Sequence, residues 1–135
     1  MKKTKLLNSE ISYEIARIGH TSHITICDAG LPIPKGVKRI DLAIIQNLPR
    51  FIDVLKAVIS EMEVEEIVLA KEIKEKNMEV YNEILNSFKE INKEPKITWV
   101  SHEELKVITK DSEAIVRTGE CSPYANIILK SGVVF

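Results

Sequence analysis

The sequence predicts a three-layer α/β/α sandwich with a mixed, mainly parallel sheet, and three observations point that way. Helical and extended patterns alternate along the chain. The run Ile67, Val68, Leu69, Ala70 has no polar face, as in a central strand covered on both sides by helices. The last third is rich in strand patterns, which makes part of the sheet antiparallel. At 135 residues the chain forms one domain, 1–135, able to bury a single core without disulfides or metal.

In chain order, "NSEISYEIARI" (8–18) places Ile11, Ile15 and Ile18 at helical spacing, with Asn8 or Ser9 as the cap and Gly19 to end the helix at His20. "HITIC" alternates and is β-branched, so it is a strand with Ile24 and Ile26 on one face, and a loop begins at Asp28. Residues 40–45, "IDLAII", read as a second strand. "NLPRFIDVLKAVISEM" follows as an amphipathic helix with Asn47 near its cap, Pro49 in its first turn, and Phe51, Ile52, Leu55, Val58, Ile59 and Met62 inward.

Residues 65–70 form the central strand. A helical pattern from Lys71 to Ile91 is broken or capped at Asn77, with Val80, Ile84, Leu85 and Phe88 as its core stripe. "KITWV" (96–100) is a strand, and Ser101 with Glu104 has the spacing of a capping box for a short helix that carries His102 in its first turn. The chain closes with extended patterns in "EAIVRTG", "ANIILK" and "GVVF", turned at Gly119 and Pro123.

Nineteen basic and twenty acidic residues, spread without long runs, argue against a nucleic-acid surface. No apolar stretch approaches the roughly 20 residues that span a bilayer, and "MKKTKLLNSEIS" has no apolar leader core, so the expected compartment is cytoplasmic. Cys27 and Cys121 lack metal or redox spacing and are expected to be buried reduced thiols. No phosphate loop, dinucleotide turn, HExxH, GxSxG or paired CxxC is present.

What remains is polar residues at element ends. His20, after a helix C-terminus, lies where the carbonyl ends favour imidazolium by ~0.3–1 kcal/mol. It is either a proton donor or a surface histidine that merely follows a helix. His102, at a helix N-terminus, is expected to be neutral and able to accept a hydrogen bond, with Lys106 one turn on along the same face. Asp28 ends a strand where α/β proteins bind ligands, or else it caps the turn. Tyr124 and Asn126, two apart, share a face if extended. His23 reads as structural. A metal site from His20, Asp28 and His102 is disfavoured because no pair has helical ligand spacing.

At these residues the chain resembles the D-ribose pyranase family, through "LNSEIS", "IARIGHT", "CDAGLPIP", "RIDLAI", "EIKEKN", "SHEELK" and "RTGECSPYANIIL", in family order over essentially the whole length. The resemblance implies cofactor-free interconversion of the pyranose and furanose rings of D-ribose, with no metal. It implies His20 as proton donor, and Asp28, His102, Lys106, Tyr124, Ala125 and Asn126 as substrate contacts. It also implies a homo-oligomer, a decamer with sites between subunits. The alternatives are a mutarotase for fucose or another monosaccharide, and a non-catalytic sugar-binding accessory protein. "DAGLPIP" and His102 resemble the ribose branch.

Overall fold

A computed structural model describes residues 1–135 as one six-stranded sheet with helices on both faces. The elements are α1 (Ser9–Arg17), β1 (His23–Cys27), β2 (Lys38–Asp41), α2 (Phe51–Ile59), β3 (Val64–Ala70), α3 (Ile73–Lys76), α4 (Met78–Glu90), β4 (Lys96–Val100), α5 (His102–Ile108), β5 (Ala114–Arg117) and β6 (Ile127–Ser131). Strand order is β2-β5-β1-β6-β3-β4. Only β6 runs against its neighbours; the other pairings are parallel. The sheet is therefore mixed and mainly parallel, as expected.

The two faces are unequal. Ile24, Ile26, Ile67 and Leu69 point into the larger core, filled by Ile11 of α1, Phe51 and Leu55 of α2, and Ile84 and Phe88 of α4. On the other side Cys27, Val68, Ile115 and Ile128 meet Leu105 of α5 and Leu31 of the 28–36 loop. This second layer is thin, and its loop brings chain over the end of β1.

Local capping chemistry sets most boundaries. Asn8 Oδ1 accepts from the Ile11 N–H, Asn77 Oδ1 caps α4 by accepting from Val80, and Ser101 with Glu104 completes the capping box of α5. Each such cap stabilises its helix by ~1 kcal/mol.

Five expectations need correction. α1 ends at Arg17 with Ile18 already extended, so Gly19 does not terminate it and His20 lies beyond its last turn. β2 covers only Lys38–Asp41; after it the chain folds into a tight turn in which the Ile44 N–H bonds Leu48 O, leaving Ile44 and Ile45 exposed. That turn rests on Gly119, where a Cβ would lie 2.5 Å from Leu48 O, so only glycine fits there. Pro49, after a cis peptide bond, and Asn47, at φ 62°, precede the helix, which begins at Phe51 with no side-chain cap from Arg50. Leu85 sits at the rim of the core rather than in it. "GVVF" is not a strand: β6 ends at Ser131, pairing with the β3 side stops at the Gly132 N–H bond to Glu63 O, and Val134 and Phe135 are exposed.

Candidate active site

The parallel strands β1, β3 and β4 end on one side of the sheet, and β6, being antiparallel, begins there. Asp28 after β1, Asn126 before β6, and His102 after β4 are thereby brought to a common edge. In α/β sheets this carboxyl edge, at the point where strand order reverses, is where ligands bind.

Asp28 is held rigidly. Its backbone N–H donates to Asn126 Oδ1 at 3.0 Å, and Asn126 Nδ2 donates to Asp28 Oδ2 at 2.9 Å. The other carboxylate oxygen accepts from the Gly30 N–H at 2.9 Å. Asp28 therefore both caps the turn and presents a carboxylate. Burial pushes its pKa up, opposed by the Gly30 and Asn126 hydrogen bonds and by His102. A cavity of about 450 Å³ opens beside it, lined by Asp28, Gly30, Glu120, Cys121 and Ser122.

Tyr124 and Asn126 do not alternate on a strand. Tyr124 adopts φ 57°, the Asn126 N–H bonds Tyr124 O, and β6 starts only at Ile127. The turn still unites the set: Tyr124 meets the His102 ring edge-on at 5.0 Å, Ala125 is buried beneath, and Asn126 is fully buried against Asp28. His102 Nδ1 is buried with no hydrogen-bond partner, which leaves it free for a ligand hydroxyl. The Lys106 ammonium is turned instead to Glu103 Oε1 at 2.8 Å.

His20 is elsewhere. It lies before β1 while Asp28 lies after it, and a five-residue strand separates the two ends by about 17 Å. The His20 ring is half exposed, its Nε2 2.9 Å from Glu65 Oε2, over a cleft of about 360 Å³ lined also by Ile18, Met62, Val134 and Phe135. That cleft shares no residue with the Asp28 cavity. The chain thus brings Asp28, His102, Tyr124, Ala125 and Asn126 together, leaves Lys106 one turn away, and places His20 at the opposite end. The His20, Asp28 and His102 trio considered for a metal is not assembled within one chain.

Residues to which the sequence assigned no site role, Glu120 among the polar residues at element ends and Asn77 as a helix cap, organise the Asp28 end, as Glu65 does the His20 end. The buried Glu120 carboxylate accepts from the Phe51 N–H at 3.0 Å and from Ser122 Oγ at 2.8 Å, tying the 119–126 turn to the start of α2. Asn77 Nδ2 donates to Ser122 Oγ and Pro123 O. Both Glu72 carboxylate oxygens lie 3.1 Å from the His102 backbone N–H, fixing the start of α5. Cys27 is buried, its thiol pushed up to about 12 mainly by burial, whereas Cys121 is exposed on the turn, its N–H taken by Asn47 Oδ1. Glu65 left no local signal beyond the adjacent acids Glu65 and Glu66 at the start of the strand, because the bulge that re-aims it shows only in the pairing of β3 with β6.

Residues 1–134 match the model of the RbsD / FucU transport protein family. A D-ribose pyranase of Rhodopirellula baltica is 62% identical over 135 residues, covering all of both chains. One of Clostridium perfringens is 57% identical over the same full span. Among solved structures, Bacillus subtilis RbsD complexed with D-ribose superposes with a TM-score of 0.92 at 47% identity, each chain fully covered. A fucose mutarotase from Streptococcus pneumoniae in complex with L-fucose shares the fold, with a TM-score of 0.85 at 24% identity over both full lengths.

Proposed function

The chain belongs to the RbsD / FucU family, and from that premise we infer that it is a D-ribose pyranase, an isomerase that interconverts the pyranose and furanose rings of D-ribose. The observation that carries this reading is full-length identity of 62% with a D-ribose pyranase in a chain whose strand ends gather a pinned carboxylate, a histidine, a tyrosine and an asparagine. Those groups suit a polyhydroxylated ligand: a sugar needs several fixed donors and acceptors.

The chemistry is acid–base. An acid gives a proton to the ring oxygen as the bond from that oxygen to the anomeric carbon breaks, and the anomeric hydroxyl loses its proton to water, leaving the open-chain aldehyde. Closure through a different hydroxyl reverses these moves: that hydroxyl adds to the carbonyl carbon and loses a proton, while the carbonyl oxygen gains one. A positioned acid contributes ~10²–10⁴ in rate.

His20 is the proton donor in this reading, and Asp28, His102, Tyr124, Ala125 and Asn126 hold the sugar, with Lys106 at the margin. Because one chain separates His20 from the other groups by the length of β1, the working site is assembled between copies: His20 of one subunit faces the Asp28 set of its neighbour. The half-exposed His20 ring and the exposed Val134 and Phe135 beside it support a surface that meets a second copy. The assembly is a homo-oligomer, a decamer by resemblance, working in the cytoplasm; no helix is long and apolar enough to cross a membrane.

Complementation tests this directly. His20→Ala and Asp28→Ala variants are each expected to lose acceleration of ribose ring exchange, read by NMR saturation transfer. Co-expressed in one cell, they are expected to regain part of it, since some interfaces then pair an intact His20 with an intact Asp28. Two inactive parents with an inactive mixture would place the whole site within one chain. A mutarotase for fucose would instead accelerate L-fucose exchange more than ribose exchange, and a pure sugar-binding protein would bind ribose without changing the rate.

A further inference from the structure

The His20 end of the molecule has an irregularity that regular strand pairing does not explain. Across β3 and β6, Val64 pairs with Ser131 and Glu66 with Lys130, so two steps along β3 match one step along β6. Glu65 is the extra residue, a β-bulge. Its effect shows in packing, since Val64 joins Ile67 and Leu69 in the larger core, although regular alternation would send it to the opposite face. Bulges re-aim side chains, and this one carries the Glu65 carboxylate to His20 Nε2 at 2.9 Å.

The histidine is fixed from its own side too. Gly19–Ser22 is a turn closed by the Ser22 N–H on Gly19 O, with His20 as its first central residue and Thr21 as its second, at φ 69°. A β-branched residue at positive φ is strained, and such strain persists where surrounding structure imposes it. Here the Thr21 N–H donates to Ser131 O, and the Ser131 N–H donates to Ser22 O. The turn is thus bonded to the residue that faces the bulge.

The neighbouring acidic groups have other partners: Glu61 pairs with Lys2, Glu63 with Lys93, and Glu66 with Lys130 and Thr98. Glu65 bonds His20 alone. A carboxylate can only accept, so the ring nitrogen facing it carries hydrogen in both charge states of the imidazole. The proton that comes and goes is then the one on Nδ1, which no group of the chain engages.

We propose that Glu65 is the positioning residue of His20, holding Nε2 so that Nδ1 is the nitrogen that exchanges a proton with the sugar. This rests on His20 being the proton donor. The wild-type protein tests it first: among its three histidines, neutral His20 is expected as the Nε2–H tautomer in ¹⁵N long-range correlation spectra. A predominant Nδ1–H tautomer overturns the proposal.

In Glu65→Ala the His20 tautomers should mix, and ring exchange should slow ~10–100-fold, the scale of losing a carboxylate that orients a metal-bound histidine. Ribose affinity should change much less. Glu65→Gln, whose amide both accepts and donates, should fall between. Wild-type exchange in folded Glu65→Ala would also overturn the proposal, and if that variant does not fold, the wild-type tautomer decides. Undiminished exchange in His20→Ala is a different failure, which removes the proton donor itself.

Discussion

The two ends of β1 are built on opposite plans. At the carboxyl end Asp28 is locked by the main chain and by a fully buried asparagine, and the turn behind it is anchored through Glu120 to a helix start. At the amino end His20 stands half exposed, touched by one carboxylate from a bulge. One end is finished by folding, while the other is aimed by a turn and a bulge and left uncovered within its own chain. In such a molecule the groups proposed to act on the sugar are coupled to fold stability at one end and separable from it at the other.

The largest expected effect tests that separation. His20→Ala should remove the ~10²–10⁴ contribution of a general acid while shifting the chain's unfolding free energy by no more than ~0.5 kcal/mol, because the half-exposed ring bonds only Glu65 within its own chain. Asp28→Ala should weaken ribose binding in calorimetric titration and also destabilise the fold by ~1–3 kcal/mol, because the buried Asn126 amide loses its acceptor. Equal stability losses in chemical denaturation of the two variants would break the comparison.

Next in size is Glu120→Ala. It leaves the buried Phe51 N–H without an acceptor and removes one of the two carboxylates paired with Arg50, Glu83 remaining, for ~1–3 kcal/mol. The cost should appear as a lower denaturation midpoint together with a raised KM, since the 119–126 turn carries Tyr124 and Asn126. A lower midpoint with KM unchanged would show that the turn holds its shape without that carboxylate.

Periodicity made most of the sheet and helices legible, because apolar spacing and side-chain caps are local: Asn8, Asn77 and the Ser101–Glu104 pair cap helices where their spacing puts them. The misses are non-local. β2 stops early because the 45–48 turn must pack on Gly119, more than seventy residues away, and Asn47 is consumed by Cys121 rather than by a helix. For the proposed site, residue types at element ends pointed to Asp28, His102 and His20, but which end of a strand each occupies in space depends on topology. Single-residue reasoning gave His20 a helix-terminal field; the structure ends that helix at Arg17 and puts a glutamate there instead. A bulge on a partner strand leaves only a faint mark in sequence, two adjacent acids where one was due to point inward.

The smallest effect sharpens the contrast within three residues of chain. His23, unlike His20, is buried on β1, its Nε2 3.4 Å from Ile108 O. Burial, with Lys130, lowers its pKa below the ordinary 6.5, while the Ile108 bond and the charges of Asp111 and Glu113 oppose that shift. The unfolded chain therefore binds a proton at this residue at a higher pH than the folded one. Below a pH of about 6.5, unfolding becomes progressively easier until the folded pKa is passed, and above it the contribution is complete. Chemical denaturation at several pH values should show that slope in the wild type and a flatter one in His23→Gln. If the slope persists unchanged in His23→Gln, the buried imidazole is not its source, and burial at this point of β1 matters less to the fold than its geometry indicates.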